Sequence, residues 1–426
     1  MLFFICILIF EMVITDFLPA NMKNDSTAIT CILINSCAII FLLSKSQKYY
    51  NDGKKSNFEF LVMISYILRV IFMFWDKYCR NIFIFPNSGL DTGTFDHAAR
   101  AFLSGKSVDG YGRILGYIYK LFYPNTLWGQ YINILAAILT IYILKKILDM
   151  LDIHLKYKSI GAYLICFLPN YLIMSAILLR ESFITLFLAV SIWQFLKWWK
   201  SGNKLNLVLS LVVCYGAVYL HTGTIAYAVA IIIIFILTNN KKREFQVTLK
   251  NIFILILFII CFFIYYSNSS DDFGYLSGVN SVSDISNKAA SMNSGGSGYS
   301  ISIVPDDTML GMIINSPFRI FFFLASPLPW YWRGINDIIA FLFSAFFYTI
   351  SIYYSFKAIK LTSKNKNIII CLLIFAISSA FIYSWGVSNA GTALRHRDKF
   401  LPNFILLFII ASDAIVSKRL QLGSKQ

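Results

Sequence analysis

Arg395-His396-Arg397 is the densest group of chemically capable side chains in this sequence, with Gly391-Thr392 before it and Asp398-Lys399 after it. Arginine presents a planar fork of donors that fits phosphate oxygens two at a time. Histidine gives or takes a proton near neutral pH. Together they suit a reaction in which a phosphate-bearing group departs and a hydroxyl proton must be moved. Carboxylates come from Gly89-Leu90-Asp91-Thr92-Gly93-Thr94-Phe95-Asp96-His97. Asp91, flanked by glycines, is expected on a turn where it can approach a ligand. Asp96 is expected either at a ligand or as the cap of the alanine-rich helix that follows, Ala98-Ala99-Arg100-Ala101-Phe102.

Four more residues have the right chemistry in unusual surroundings. Arg180-Glu181 interrupts an apolar helical pair, and His221-Thr222-Gly223-Thr224 sits between two apolar runs. Such groups are costly at membrane depth unless paired or hydrated. Arg180 and Glu181 either neutralise each other or leave Arg180 to coordinate an anion. His221 either contacts lipid headgroups or orients a substrate. Arg113 lies among Tyr111, Tyr117, Tyr119 and Tyr123, and Arg333 closes Pro327-Leu328-Pro329-Trp330-Tyr331-Trp332. Both segments read equally as interfacial aromatic belts or as surfaces that stack on sugars and meet phosphate.

The elements that position these residues follow from hydropathy. Apolar types make up 58% of 426 residues and charged types only 14%. Apolar runs long enough to cross roughly 30 Å of hydrocarbon recur almost end to end. They begin near Leu2, Ala28, Phe58, Trp128, Ser159, Ser182, Leu205, Thr222, Asn251, Asn336, Asn367 and Phe400. The expected fold is an all-α polytopic membrane protein of about twelve spans, within a range of about ten to thirteen. The chain reads as a single multi-span domain over 1–426. The first apolar stretch lacks a basic n-region and an A-x-A-like cleavage site, so it is read as a retained helix.

Basic residues set the expected orientation. With both termini in the cytoplasm, the inner loops collect Lys45 and Lys48, Lys145 and Lys146, Lys197 and Lys200, Lys241 to Arg243, Lys357 and Lys360, and Lys418-Arg419. That arrangement obeys the positive-inside bias. Three substantial segments then face outward: 76–127 with short helices, 267–335 with a re-entrant or interfacial hairpin, and 385–399. The last carries Arg395 to Arg397 against the topology signal, which marks it as the expected catalytic loop. The excess of 37 basic over 21 acidic residues, a formal charge of +16, is accounted for by inner loops and anionic lipid rather than nucleic acid. Eight cysteines are scattered without a C-x-x-C, which disfavours a disulfide framework or a zinc site.

Three patches carry a family resemblance: Asp91-x4-Asp96-x-Ala98-Ala99, the turn Leu179-Arg180-Glu181-Ser182, and Gly391-Thr392-x-x-Arg395-x-Arg397-x4-Pro402. In these the chain resembles bacterial oligosaccharide repeat-unit polymerases of the O-antigen (Wzy) type and the related GT-C glycosyltransferases. The resemblance implies a GT-C-like helical bundle in the bacterial cytoplasmic membrane, with its active site facing the periplasm. It implies a polymerase that joins undecaprenyl-diphosphate-linked repeats, a role in lipopolysaccharide synthesis, and a chain-length regulator as partner. Arg395, Arg397 and Arg180 would then neutralise the departing diphosphate, with Arg113 and Arg333 as weaker contacts. Asp91 would activate the acceptor, His396 would compete for that role, and His221 would orient a substrate. No metal-ligand spacing is visible, so no cofactor is required; a divalent ion such as Mg²⁺ or Mn²⁺ between Asp91 and the phosphates fits some GT-C enzymes. Three spans precede Asp91, where a GT-C transferase has one, which favours the polymerase. The alternatives are a GT-C enzyme moving one sugar from a polyprenyl phosphate, a polysaccharide or lipid-linked glycan transporter, and a non-catalytic membrane partner. A transporter would line several helices with polar residues at mid-membrane, and these spans are mostly uniform Leu, Ile, Val and Phe.

Overall fold

The structure is a computed structural model that describes residues 12, 13, 15, 17–49, 57–239, 242–268, 281–291, 298, 299 and 302–423. Among the described residues the chain is all-α apart from a pair of two-residue strands, Thr238–Asn239 and Glu244–Phe245. Seven helices among the described residues are long and apolar enough to cross a membrane, and four shorter apolar helices accompany them. This is a multi-pass helical membrane protein. The expected first span, from Leu2, lies outside the described residues.

The helices run α1 Asp25–Tyr49, α2 Phe58–Tyr78, α3 Leu90–Leu103, α4 Gly110–Leu121, α5 Thr126–Met150, α6 Leu155–Phe167, α7 Pro169–Met174 and α8 Glu181–Ser201. There follow α9 Lys204–Leu220, α10 Ile225–Leu237, α11 Leu249–Asn268, α12 Val282–Ser291, α13 Met309–Ala325, α14 Ile335–Leu361, α15 Lys366–Gly386, α16 Ala390–Asp398 and α17 Leu401–Gly423. By contact density the chain forms two compact units, 1–142 with 159–186, and 143–158 with 187–426.

In the first unit the expected span from Ser159 is not one long helix. Pro169 disfavours helical geometry at Leu168, so α6 stops after 13 residues. The chain then makes one short helix and turns before α8 begins at Glu181. An interrupted helix leaves carbonyls without partners, and lipid cannot supply them. Buried side chains of α2 and α5 supply them instead. Arg69 donates through Nη1 to the Cys166 carbonyl at 3.2 Å and through Nε to Ser175 Oγ at 2.8 Å. Asn133 Nδ2 donates to the carbonyls of Ile177 (3.0 Å) and Leu179 (2.7 Å), while its Oδ1 accepts from Tyr111 OH at 3.1 Å. Gln130 bridges the Ala176 carbonyl and Asp76. Helices α3 and α4 form a tight hairpin in which Gly112 lies against Ala98; an added Cβ would come within 2.8 Å of the alanine methyl.

The second unit centres on α15 and α17, the most buried of the long helices. Helices α8 and α9 join through a reciprocal serine pair, Ser191 Oγ to Ser210 O at 2.9 Å and Ser210 Oγ to Ser191 O at 2.8 Å. Where a re-entrant or interfacial hairpin was expected within 267–335, the apolar residues Ile320 to Ala325 belong to a long helix. Helix α13 already starts at Met309 and carries Pro317 inside it rather than at a boundary. Thr308 caps it, its side chain accepting from Gly311 N at 3.0 Å. The preceding segment is fastened to the same helix. Asn315 Oδ1 accepts from the backbone of Ile303 and Val304, and Asp306 pairs with Arg319 at 2.5 Å. Burial raises the Asp306 carboxyl, but bonds from Ser302 and Arg319 outweigh it and hold the group below the usual carboxylate range. Arg319 is therefore engaged within the fold, with its guanidinium 4.1 Å from the Trp385 ring centre.

Replacing Asn133 with leucine strands two buried carbonyls and the Tyr111 hydroxyl. The expected cost is about 2–4 kcal/mol. Thermal unfolding in lipid nanodiscs should show a midpoint lowered by roughly 5–10 °C.

Candidate active site

The catalytic loop expected at 385–399 is a nine-residue helix, α16. Asn389 starts it, Oδ1 accepting from the backbone of Gly391 at 2.9 Å and Thr392 at 3.3 Å. Just before it, Ser388 O accepts from Tyr299 N at 2.8 Å. Pro402 stands in the first turn of α17, where a missing N–H costs nothing. Helical periodicity puts Ala390, Ala393 and Arg397 on one face of α16, and all three are buried.

Arg397 is fully buried, and its Nη1 lies at the end of α13. It donates to the carbonyls of Phe323 (2.8 Å), Leu324 (3.1 Å) and Ser326 (2.6 Å). The guanidinium thus caps a helix C-terminus, favoured both by hydrogen bonding and by the helix dipole. Next to it, Asp398 accepts from Tyr348 OH of α14 at 2.8 Å. One face of α16 is in this way fixed against α13 and α14.

A neighbouring face holds an acid–base cluster. His396 Nδ1 is 2.6 Å from Lys399 Nζ. Two protonated nitrogens cannot make that bond, so one proton is shared between them. With the proton on Lys399, the neutral imidazole carries its own at Nε2 and can donate. With Lys399 neutral, its Nζ accepts from His396 Nδ1–H, and the neutral imidazole has Nε2 as an acceptor. The His396 ring centre is 5.1 Å from that of His221 and 4.9 Å from that of Tyr383. His221 Nδ1 accepts from Gly223 N–H at 3.3 Å and lies 3.0 Å from Tyr383 OH. A backbone N–H can only donate, so Nδ1 is the acceptor and His221, when neutral, bears its proton on Nε2. Gly223 permits this approach; a Cβ there would sit 2.9 Å from Tyr383 Cζ.

The structure therefore unites His221 with His396 and adds Tyr383 and Lys399, which the sequence reading did not select. Tyr383 lies within the apolar run of α15 and gives no local signal. Lys399 follows the arginines and reads as one more surface charge, yet it is fully buried. Arg395 is half-buried on the same helix. Arg333 is exposed and lines a small, solvent-open cleft together with Tyr299, Ser326, Tyr331, Asp337 and Ala390.

The other expected residues belong to the first unit. Asp91 is exposed in the first turn of α3, not on a glycine-flanked turn, because Gly89 with φ +126° ends the loop and helix begins at Leu90. A carboxylate there also interacts favourably with the helix dipole. Asp96 is not a cap but mid-helix, tying α3 to α4. It accepts from Tyr119 OH at 2.6 Å and Arg100 Nε at 2.9 Å. Burial and then this bond raise the Tyr119 phenol, which stays a donor. Arg113 bonds Val108 O at 2.8 Å and Asp109 at 2.9 Å. Arg180 precedes α8, its guanidinium 5.7 Å from the Phe95 ring centre. Among the described residues, no group of three or more His, Cys, Asp or Glu side chains is arranged to hold a metal ion.

Compared with known proteins, the chain matches no family model, no curated protein and no solved structure.

Arg397→Met should remove the cap from α13 and loosen α16. Hydrogen exchange at 323–326 and 390–398 is expected to quicken by on the order of a hundredfold, reflecting about 3 kcal/mol of lost local stability. Tyr348→Phe, which loses a single bond, should cost about 1 kcal/mol.

Proposed function

We propose that this chain is a membrane glycosyltransferase that polymerises undecaprenyl-diphosphate-linked oligosaccharide repeat units. The observation that carries the reading is the His396–Lys399 pair beside His221–Tyr383, on the helix that also bears Arg395. Glycosyl transfer from a diphosphate needs those two capacities together. The acceptor hydroxyl oxygen bonds to the donor's anomeric carbon as that carbon's bond to the diphosphate oxygen breaks. The diphosphate leaves with the bonding pair, and the hydroxyl proton passes to His396 Nε2 in the state where Lys399 is neutral and accepts from His396 Nδ1–H. Arg395 neutralises the charge that grows on the departing diphosphate. Arg397 acts as a positioning residue, and His221 orients the acceptor.

The topology belongs to the same reading. The four shorter apolar helices and the first apolar stretch are taken as further crossings, about twelve in all. Both termini lie in the cytoplasm, basic loops face inward, and α16 faces the periplasm. The partners are lipid-linked glycans, membrane lipids and a chain-length regulator.

Purified protein in lipid, given a defined undecaprenyl-diphosphate-linked repeat, should yield a ladder of product lengths on a gel. His396→Ala and Arg395→Ala, folded to the wild-type thermal midpoint, should reduce its rate by about a hundredfold or more. A product longer by a single sugar would replace the polymerase with a one-step transferase. Loss of the ladder in Asp91→Asn but not in His396→Ala would move the proton acceptor to Asp91.

A further inference from the structure

Helices α5 and α8 end side by side within the second unit. The Lys200 ammonium, near the end of α8, donates to the Met150 carbonyl at the end of α5. That bond satisfies one of the carbonyls a helix end leaves open, and it sets the two ends at one level. Both helices are long and apolar enough to cross a membrane, so their ends lie where lipid headgroups begin.

One turn back from those ends, two ammonium groups meet a single ring. Lys197 Nζ, from α8, is 4.1 Å from the Trp193 ring centre, and Lys146 Nζ, from α5, is 5.2 Å from it. Trp193 and Lys197 are half-buried, and Lys146 is exposed. The carboxylate on this part of α5 is already engaged. Asp149 accepts from Lys145 at 2.8 Å and from Lys158 at 2.7 Å, one oxygen to each. Among the described residues, Lys146 and Lys197 make no ion pair, and the Trp193 indole N–H makes no hydrogen bond.

Like charges gathered on one ring repel, and the negative face of the indole offsets only part of that. An anion completes the group, taking a charge-assisted bond from each ammonium and a third from the indole N–H. A phosphate has oxygens for all three, and the bilayer supplies phosphates at this depth. A zwitterionic lipid brings its own cation, which the lysines repel; an anionic phospholipid does not. We infer that Lys146, Lys197 and Trp193 form a binding site for the phosphate of an anionic phospholipid such as phosphatidylglycerol. Inorganic phosphate offers the same oxygens, so the test separates the two sources. A plain interfacial anchor differs in kind: on α14, Lys357 meets Tyr353 at 5.7 Å as one cation on one ring. The site gives the lipid partner a chemical class and a place, and it does not rest on glycosyl transfer.

Lysine acetylation by a water-soluble N-hydroxysuccinimide ester, read residue by residue by mass spectrometry, tests this on the full chain in nanodiscs. Discs of phosphatidylcholine are compared with discs that also contain phosphatidylglycerol. The anionic lipid should slow acetylation of Lys146 and Lys197 about fivefold or more, and that of Lys357 and Lys360 less than about twofold. In Lys146→Gln the protection of Lys197 should fall to the level of Lys357, because one ammonium alone does not hold the phosphate. Variants are compared at an unchanged thermal midpoint, and the reciprocal Lys197→Gln, read at Lys146, serves if the first fails to fold. The inference is overturned if phosphatidylglycerol slows none of these lysines, or slows all four alike through surface potential. It is overturned equally if Lys197 stays protected in Lys146→Gln. Inorganic phosphate, added to phosphatidylcholine discs at matched ionic strength, should protect neither lysine; protection equal to that by phosphatidylglycerol would make this a free-phosphate site and overturn the lipid assignment. Protection without a product ladder would refute the transfer reading alone, and a ladder without protection would refute the lipid site alone.

Discussion

A helix that ends where water cannot reach leaves carbonyl oxygens that must find donors within the protein. In the second unit that demand falls on Arg397. One nitrogen of its guanidinium takes three carbonyls at the end of α13, and in doing so fixes α16, the element on which the candidate site is built. Each stranded carbonyl would cost about 1–3 kcal/mol, so the arrangement is strongly favoured over any in which α16 drifts from α13. The first unit meets the same demand in the same way. Arg69 donates to Cys166 O after α6 is stopped by Pro169, and Asn133 takes the carbonyls of Ile177 and Leu179 in the turn before α8. Both arginines are fully buried. In both places a cation that a hydropathy reading would send to a ligand or a headgroup completes the backbone instead.

That fixture has a consequence for chemistry. Because Arg397 faces α13, the adjacent residue His396 is turned about a hundred degrees away, toward His221 and Tyr383. Lys399, one turn on, closes on His396 Nδ1 and ties the state of the imidazole to its own proton. The pocket beside Ala390 shares the same helix. The pocket, the acid–base cluster and the helix cap are thus distributed over different faces of nine residues. A substitution that loosens the cap should disturb all three, whereas one at His396 should leave the cap and the pocket intact.

The parts of this that local sequence revealed are those with local causes. The starts of α2, α5, α8, α15 and α17 lie within a few residues of the expected positions, because each is a long, uniform apolar run. The span from Ser159 was misread, since the break at Leu168-Pro169 lies inside a run whose average hydropathy is unaffected by it. Pro317 is the opposite case: local propensity places proline at a helix boundary, yet α13 passes through it. His221 and His396 stood out as ionisable groups among apolar neighbours. Their proximity, the burial of Lys399 and the part played by Tyr383 depend on the packing of α15 against α10 and α16, which no short window encodes. Asp306 and Arg319 likewise form their pair only once the segment before α13 folds back along it.

The central claim is that His396 shares a proton with Lys399 while His221 accepts from Tyr383. The chain has four histidines, so ¹⁵N-histidine NMR in nanodiscs can assign each imidazole through single His→Gln variants. The account predicts that Lys399→Met shifts the ring nitrogens of His396, with Nδ1 moving most, and that Tyr383→Phe shifts Nδ1 of His221. If His396 keeps its wild-type nitrogen shifts in Lys399→Met, and His221 keeps its own in Tyr383→Phe, the cluster is not the hydrogen-bonded site described here.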